Sequence, residues 1–524
     1  MLLSKGLPVL QVRLGHLLLM AVAFGLLFHA TTLYRQERAF TFDVRDTTPV
    51  GDLLPEEEYL ERLIDRYALT NLTKWQAWRV QSTEQSLAMG STTEVHADFQ
   101  PELGIPKVID VANPTPADLR ASKGLELPVH IDKPRDQLYA SMFLIGISTS
   151  YERIVAKDQA ILRAWKRWLA KSDGTSNGAS LVLMLDNATE EQLDDLDREL
   201  EKLGIDVYTT STAEPTSRAR RYHELIRVMK SYGATIAASG QEKRWFGVVE
   251  DTVFFPSLSY LQERLSTYDF SKQLHIGIPS ERSDWQQDGD SVTTYGGGAI
   301  FLTQKAVSLL PKLSCLELDA ATKHPFRAQR WDAVLKQCLE QKTGIDMHVI
   351  PAFYSPHDGN YESHLESHET GKRPLLLHNY QDRHRLDVGM AHLVTDACGE
   401  ACFMHQYRFH DNWVIINGVS ISHHPDGLGH HRGHGSVSKS ELSRDTKETP
   451  ISGQIVLSED ENEIESKPLK WKGRRDVWKL LDSAKASDGT IWQAYARKEV
   501  QSANDASGET IDSIIVLIWQ KKRR

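Results

Sequence analysis

The first long apolar run, residues 14–34 (LGHLLLMAVAFGLLFHATTLY), contains no Asp, Glu, Lys or Arg. At about 20 residues it is long enough to cross a bilayer as a helix. Lys5 and Arg13 precede it and favour a cytoplasmic N-terminus, while Arg35 and Arg38 on the far flank pull the other way. A cleaved signal peptide is the rival, since His16 and His29 interrupt the stretch, but no clear small-residue cleavage site follows. Residues 1–13 therefore read as a cytoplasmic tail, 14–34 as a transmembrane signal anchor, and everything beyond as luminal.

Residues 35–137 carry scattered prolines (Pro49, Pro55, Pro101, Pro106, Pro114, Pro116, Pro128, Pro134). These discourage long helices and central strands, so the segment reads as a stem. Within it, Leu60, Leu63, Ile64 and Tyr67 fall on one face of a helix around 56–69. From 138 the texture changes. The run 138–147 (LYASMFLIGI) predicts a buried strand, followed by a helix carrying Ile154, Ile161, Trp165 and Trp168. Residues 180–185 (SLVLML) predict a second strand ending at Asp186, and Thr189 caps the helix after it, with acidic residues in the first turn. A further helix over 217–232 stops at Gly233, and 244–249 (RWFGVV) predict a third strand. Strands separated by helices predict an α/β sheet with helices on both faces. Ligands of such sheets collect beyond the carboxyl ends of the strands.

Beyond about 435 the character shifts again. Residues 434–469 are rich in Ser, Glu and Lys and read as a linker or long loop. Residues 476–481, 490–497 and 511–519 then read as strands of a small β module, with 412–422 pairing with them. The domain plan is thus an α/β domain over 138–434 and a linker with a small β module over 435–524.

Charge and cysteine usage narrow the function classes. A formal net charge of -10 argues against nucleic acid as the main partner, because phosphate binding needs a positive footprint. Two sequons, Asn71-Leu72-Thr73 and Asn187-Ala188-Thr189, suit a luminal chain. All four cysteines, Cys315, Cys338, Cys398 and Cys402, lie beyond the anchor, and an even count in an oxidising compartment favours disulfides over a zinc site. The spacing of Cys398 and Cys402 permits a small closed loop. The histidine-rich run 423–434 invites a metal reading, although such tracts also bind metals adventitiously.

The segment 245–255 (WFGVVEDTVFF) carries the chemistry. An apolar strand delivers Glu250 and Asp251 at its end, and an apolar strand resumes at once. Buried carboxylates are costly unless a cation or hydrogen-bond donors compensate. A hard divalent ion, Mn²⁺ or Mg²⁺, bridging a diphosphate would do so; a solvated sheet edge is the plainer reading.

Residues 137–410 resemble the fringe and core-1 galactosyltransferase branch of the β1,3-glycosyltransferases, and especially the plant and fungal fringe-like family long described as a domain of unknown function. The stretches that carry the resemblance are "ASLVLMLDNAT" (179–189), "RWFGVVEDTVFF" (244–255), "TYGGGAIFLT" (294–303), "WDAVLKQC" (331–338) and "PLLLHNY" (374–380), in the family's order. The resemblance implies a GT-A type, Rossmann-like mixed sheet and a type II Golgi membrane protein with a luminal catalytic domain. It implies an inverting, metal-dependent transfer of a sugar from a UDP-sugar to a hydroxyl of a glycan or glycoprotein. On this pattern Asp251 and His378 would hold Mn²⁺ (or Mg²⁺), with Glu250 holding a metal-bound water or orienting Asp251. Asp332 would be the general base, its alternative being a helix cap or first-turn acid. Gly296, Gly297 and Gly298 would let the backbone approach the sugar or phosphate, and Arg221 and Asp186 would touch the nucleotide. Cys315–Cys338 and Cys398–Cys402 would be bridges. Where the family carries three aspartates this chain has Val249, Glu250 and Asp251. That departure motivates a rival from another class, a catalytically degenerate luminal protein that binds glycans or partner proteins. A metal-dependent hydrolase is a weaker rival, lacking a second acid- and histidine-rich motif.

Overall fold

The computed structural model describes residues 41–42, 55–85, 92–99, 106–130, 139–278, 285–288, 291–294, 298–316, 330–350, 374–382, 385–428, 469, 471, 473–500 and 510–520. The apolar run 14–34, the linker 435–468, Gly296, Gly297 and the histidines beyond 428 lie outside these residues. Among those described, no helix is long and apolar enough to cross a membrane.

In chain order the elements used below are helix α1 (Pro55–Arg66), strands β1 (Leu72–Gln85), β2 (Thr92–Val95), β3 (Lys107–Asp110), β4 (Ser122–His130) and β5 (Phe143–Thr149), then α2 (Tyr151–Leu169), β6 (Ser180–Leu185), α3 (Glu190–Lys202), β7 (Asp206–Ser211) and α4 (Arg218–Ala238). They continue with β8 (Trp245–Val249), β9 (Val253–Phe254), α5 (Leu258–Ser266), β10 (His275–Ile278), β11 (Ala299–Thr303), α6 (Trp331–Thr343), β12 (Met347–Val349) and β13 (Leu377–His378). Six strands close the chain: β14 (Gln406–Phe409), β15 (Trp413–Ile416), β16 (Ser420–His423), β17 (Asp476–Ala486), β18 (Ile491–Val500) and β19 (Thr510–Trp519).

A seven-stranded sheet of order β12-β10-β11-β8-β5-β6-β7 forms the α/β part. Strands β8, β5, β6 and β7 are mutually parallel. Strand β11 runs antiparallel to both of its neighbours, β8 and β10, so the sheet is mixed. Both faces are covered, which is why β5, β6 and β8 read as unbroken apolar runs rather than alternating ones. On one face Leu144, Val182, Phe246 and Val248 pack against Tyr222, Leu225 and Met229 of α4 and Leu335 and Leu339 of α6. On the other, Ile145, Leu183 and Phe301 pack with Ile154, Ile161, Trp165 and Trp168 of α2 and Leu196 and Leu200 of α3.

Several boundaries differ from the sequence reading. Strand β5 begins at Phe143 instead of 138, because Ala140 is engaged in a turn with the Phe143 amide. Helix α4 does not stop at Gly233 but runs to Ala238. A Cβ at Gly233 would lie 2.8 Å from Phe246 Cε1, so this glycine lets the helix approach β8 rather than ending it. Thr189 does cap α3, in a reciprocal capping box with Gln192.

The segment 55–130, read above as stem, contributes α1 and β1–β4. An eleven-stranded sheet joins it to the C-terminal strands along the path β2-β14-β15-β16-β17-β18-β19-β1-β3, with β4 on the remaining part of β1 and the two-residue strand Thr41–Phe42 on β17. Strand β16 pairs with β17, so 412–422 does join the C-terminal strands. Side chains of β19 alternate: Ile515, Leu517 and Trp519 enter the core shared with the α/β part, while Ile514, Val516 and Ile518 pack under α1. In α1, Tyr59, Leu60 and Leu63 are buried there and Ile64 is exposed.

Both expected disulfides are formed, Cys315–Cys338 and Cys398–Cys402. The first ties the segment after β11 to α6. Asn71 and Asn187 are both exposed.

Candidate active site

Three adjacent parallel strands, β8, β5 and β6, end at the same edge of the sheet. Past the last residues of β8 and β6 stand Glu250 and Asp251, and Asp186, and between them β5 ends on Thr149. Strand direction alone therefore gathers the acids that the sequence singles out.

Asp251 is buried, and both its oxygens are used. Arg153, in the first turn of α2, donates Nε–H to Oδ2 at 2.7 Å and Nη2–H to Oδ1 at 3.1 Å. The Thr149 hydroxyl donates to Oδ2 at 2.5 Å. A two-pronged guanidinium–carboxylate pair fixes direction as well as charge.

Glu250 is buried too. The Trp331 indole donates to Oε1 at 2.8 Å, the Arg218 guanidinium lies 2.8 Å from Oε2, and His378 Nε2 lies 3.0 Å from Oε2. Burial alone would push this carboxyl up, but the His378 bond and charge, the Arg218 charge and the Trp331 bond outweigh it and hold its pKa at about 2. His378 reaches this point because β13 pairs antiparallel with β9, Val253 facing His378. Gly298 allows the approach: a Cβ there would lie 2.5 Å from Val253 Cγ2 and 2.8 Å from His378 Cδ2. Its carbonyl accepts the Glu250 amide at 2.8 Å.

Asp332 is the second residue of α6, directly after Trp331, whose ring stacks on Tyr222 with centroids 4.2 Å apart. Arg330 occupies the N-cap position without a side-chain cap bond, and Asp332 is the acid of the first turn. Arg330 grips the carboxylate from two sides, at 3.0 and 2.6 Å, and the Ala333 amide donates to Oδ1 at 2.9 Å. Burial pushes its carboxyl above the usual range, although Arg330 opposes the shift. Arg221 and Asp186 meet each other, Nη1 to Oδ2 at 2.7 Å, and Arg221 also donates to the Ser148 hydroxyl at 3.2 Å.

The ligand set expected for Mn²⁺ or Mg²⁺ does not gather. His378 pairs with Glu250, while Asp251 turns to Arg153 and Thr149. Among the described residues no three His, Cys, Asp or Glu side chains are placed to share an ion. Both carboxylates already have cationic partners, so the negative charge that attracts a hard divalent ion is compensated within the protein. The donor set thus does not fit the metal that the resemblance implies.

Sequence reasoning missed Arg153, Arg218, Thr149 and Arg330. One signal was present for Arg218: the first turn of α4 carries Arg218, Arg220 and Arg221 and no acid. This is the wrong sign for the positive end of a helix unless anions meet it.

No family model matches the chain, and no curated protein does. Among solved structures, a glycosyltransferase involved in the glycosylation of the major capsid of PBCV-1 is 12% identical over 47% of this chain and 99% of its own, with a TM-score of 0.26. Mouse xyloside xylosyltransferase 1 is 12% identical over 45% of this chain and 96% of its own, with a TM-score of 0.24. The glycosyltransferase GlyE of Streptococcus pneumoniae is 12% identical over 45% of this chain and 54% of its own, with a TM-score of 0.28. At TM-scores this low the likeness establishes neither fold nor function.

Proposed function

We propose that the chain is a glycosyltransferase of the GT-A type that moves a sugar from a nucleotide-sugar donor, UDP-linked in the first instance, to a hydroxyl of a glycan. The observation that carries this reading is the gathering of Asp186, Glu250 and Asp251 at one carboxyl edge, with buried Asp332 joined to them through the Trp331–Glu250 bond. Acids held by arginines at one edge and a separate carboxylate kept out of water supply cations for a leaving phosphate and a base for an acceptor hydroxyl, the two parts that single-displacement transfer needs. Asp332 takes the proton of the acceptor hydroxyl. Burial raises its basicity above that of a solvated carboxylate. Arg330 covers both its oxygens, so this reading requires the guanidinium to move when an acceptor enters.

The finer reading keeps the fringe-like branch, inversion at the anomeric carbon and a type II Golgi protein with a luminal catalytic domain; the five matching stretches and the apolar run at 14–34 support it. Mn²⁺ dependence belongs to the same resemblance, but the arginine-paired acids speak against it.

The test is turnover by the purified protein of a panel of nucleotide sugars, UDP-linked first, with and without Mn²⁺ and with glycan acceptors. Release of nucleotide that requires an acceptor supports the reading. A second reading, a binding protein of the same fold, is favoured by Val249 standing where the resembling family has an acid. Nucleotide binding without turnover of any donor would select it.

A further inference from the structure

The two acids at the end of β8 are buried, whereas the guanidiniums that hold them are not. Arg153 is 56% exposed on an Asp251 that is 3% exposed, and Arg218 is 47% exposed on a Glu250 that is 11% exposed. Each pair therefore turns its anion inward and its cation toward solvent. Arg153 spends Nε–H and one Nη2–H on Asp251. A guanidinium has five N–H donors in a fixed fork, so this exposed group carries three N–H donors beyond the two that Asp251 takes. Arg218 lies over the Tyr222 ring at 5.8 Å, which limits its sideways movement. The two guanidiniums are close enough for the charge of Arg218 to bear on Arg153, and both sense Glu250 and Asp251.

We propose that Arg153 and Arg218 are the cations that grip the diphosphate of the donor, so that the leaving group is held by protein side chains and not by a divalent metal. This deepens the transferase reading and rests on it. In the transfer, the bond between the anomeric carbon and the diphosphate oxygen breaks and its electron pair stays on that oxygen. A bond forms from the acceptor oxygen to the anomeric carbon, and the acceptor proton passes to Asp332. The charge gathering on the diphosphate meets the exposed edges of the two guanidiniums, which suit phosphate oxygens in pairs. Asp251 and Glu250 are then positioning residues, fixing the arginines by their inner edges.

The experiment is titration calorimetry of the full chain in mild detergent with UDP, GDP and inorganic pyrophosphate, in EDTA and again with Mn²⁺. Pyrophosphate and a nucleotide should bind in EDTA, and Mn²⁺ should change the affinity less than about three-fold. Arg153→Ala and Arg218→Ala should each weaken binding about ten- to a hundred-fold, the range of a charge-assisted hydrogen bond. Should an alanine variant melt below the parent, Arg153→Lys, which keeps a charge on Asp251 but not the fork, carries the test and should bind several-fold more weakly. Binding seen only with Mn²⁺, or unchanged in the arginine variants, overturns the proposal and leaves the transferase reading standing. Pyrophosphate bound through the arginines with no nucleotide bound overturns the transferase reading instead. No binding of any probe in either buffer overturns both.

Discussion

The indole of Trp331 donates to Glu250 at 2.8 Å across 81 residues of chain, and so couples the helix that carries Asp332 to the acids at the end of β8. The bond is buried, and the ring that makes it also stacks on Tyr222. Trp331→Phe keeps an aromatic ring and removes the donor, leaving a buried carboxylate oxygen without it. Urea unfolding should show a loss of about 1–3 kcal/mol. A variant as stable as the parent would mean that this bond contributes nothing to the fold.

Asp332→Asn keeps the shape but cannot take a proton. If Asp332 is the base, transfer falls by about 10²–10⁴ while nucleotide affinity stays within a few-fold, because Asp332 makes none of the proposed diphosphate contacts. Single-turnover rates alongside calorimetry separate the two quantities. Turnover within a few-fold of the parent removes Asp332 from the mechanism.

Glu250 links the site to pH. Its pKa is 4.5 as a free side chain and about 2 in the fold, so between these values the unfolded chain binds the proton and the folded one does not. The stability it contributes is intact above pH 4.5 and drains away as pH falls toward 2. Its full size is about 3 kcal/mol. Denaturant midpoints measured from pH 6 down to pH 3 should fall more steeply for the parent than for Glu250→Gln. Parallel curves would show that this carboxylate gains nothing from its partners.

Asp482 on β17 has no exposed surface, and Tyr59, Arg62, Arg66 and Tyr67 converge on it, the Arg62 Nε–H at 2.9 Å. Asp482→Ala removes the shared anion and leaves Arg62 largely buried beside it. The expected cost is about 3–5 kcal/mol, with new proteolytic cleavage in 55–69 as α1 loosens. Resistance of that segment to protease in the variant would show that α1 is held by its apolar face alone.

The α/β sheet was legible because its strands are covered on both faces. Runs such as SLVLML and WFGVV admit few other readings, and the acids that follow them inherit their position from the strand. The partners of those acids were not legible. His378 meets Glu250 across 128 residues, and Arg153 meets Asp251 across 98. An arginine on a helix surface has the same local pattern whether it faces water or a buried carboxylate. The expected pairing of His378 with Asp251 came from the resemblance, and the register of β9 on β13 brings His378 to Glu250. Strand β1 was hidden for a different reason. Prolines flank it in the sequence but none lies within Leu72–Gln85, so counting them over 35–137 blurred a 14-residue stretch that is free of them.

Strand β1 runs parallel to β19 along eight residues, Thr73 to Val80 against Asp512 to Trp519, and Thr70 is hydrogen-bonded to Asp512 across 442 positions. A ribosome adding ~5–20 residues per second needs roughly 20 to 90 s to supply the second strand after the first. Throughout that interval the N-terminal strand can find β3 and β4 but has an open edge on its other side. An open edge templates pairing with other chains, so the newborn protein passes through a window in which β1 is exposed to such pairing. A premature stop between Gln85 and Thr510 would hold that window open for good. Such truncated chains are therefore expected to be cleared by quality control, however complete their carboxylate edge.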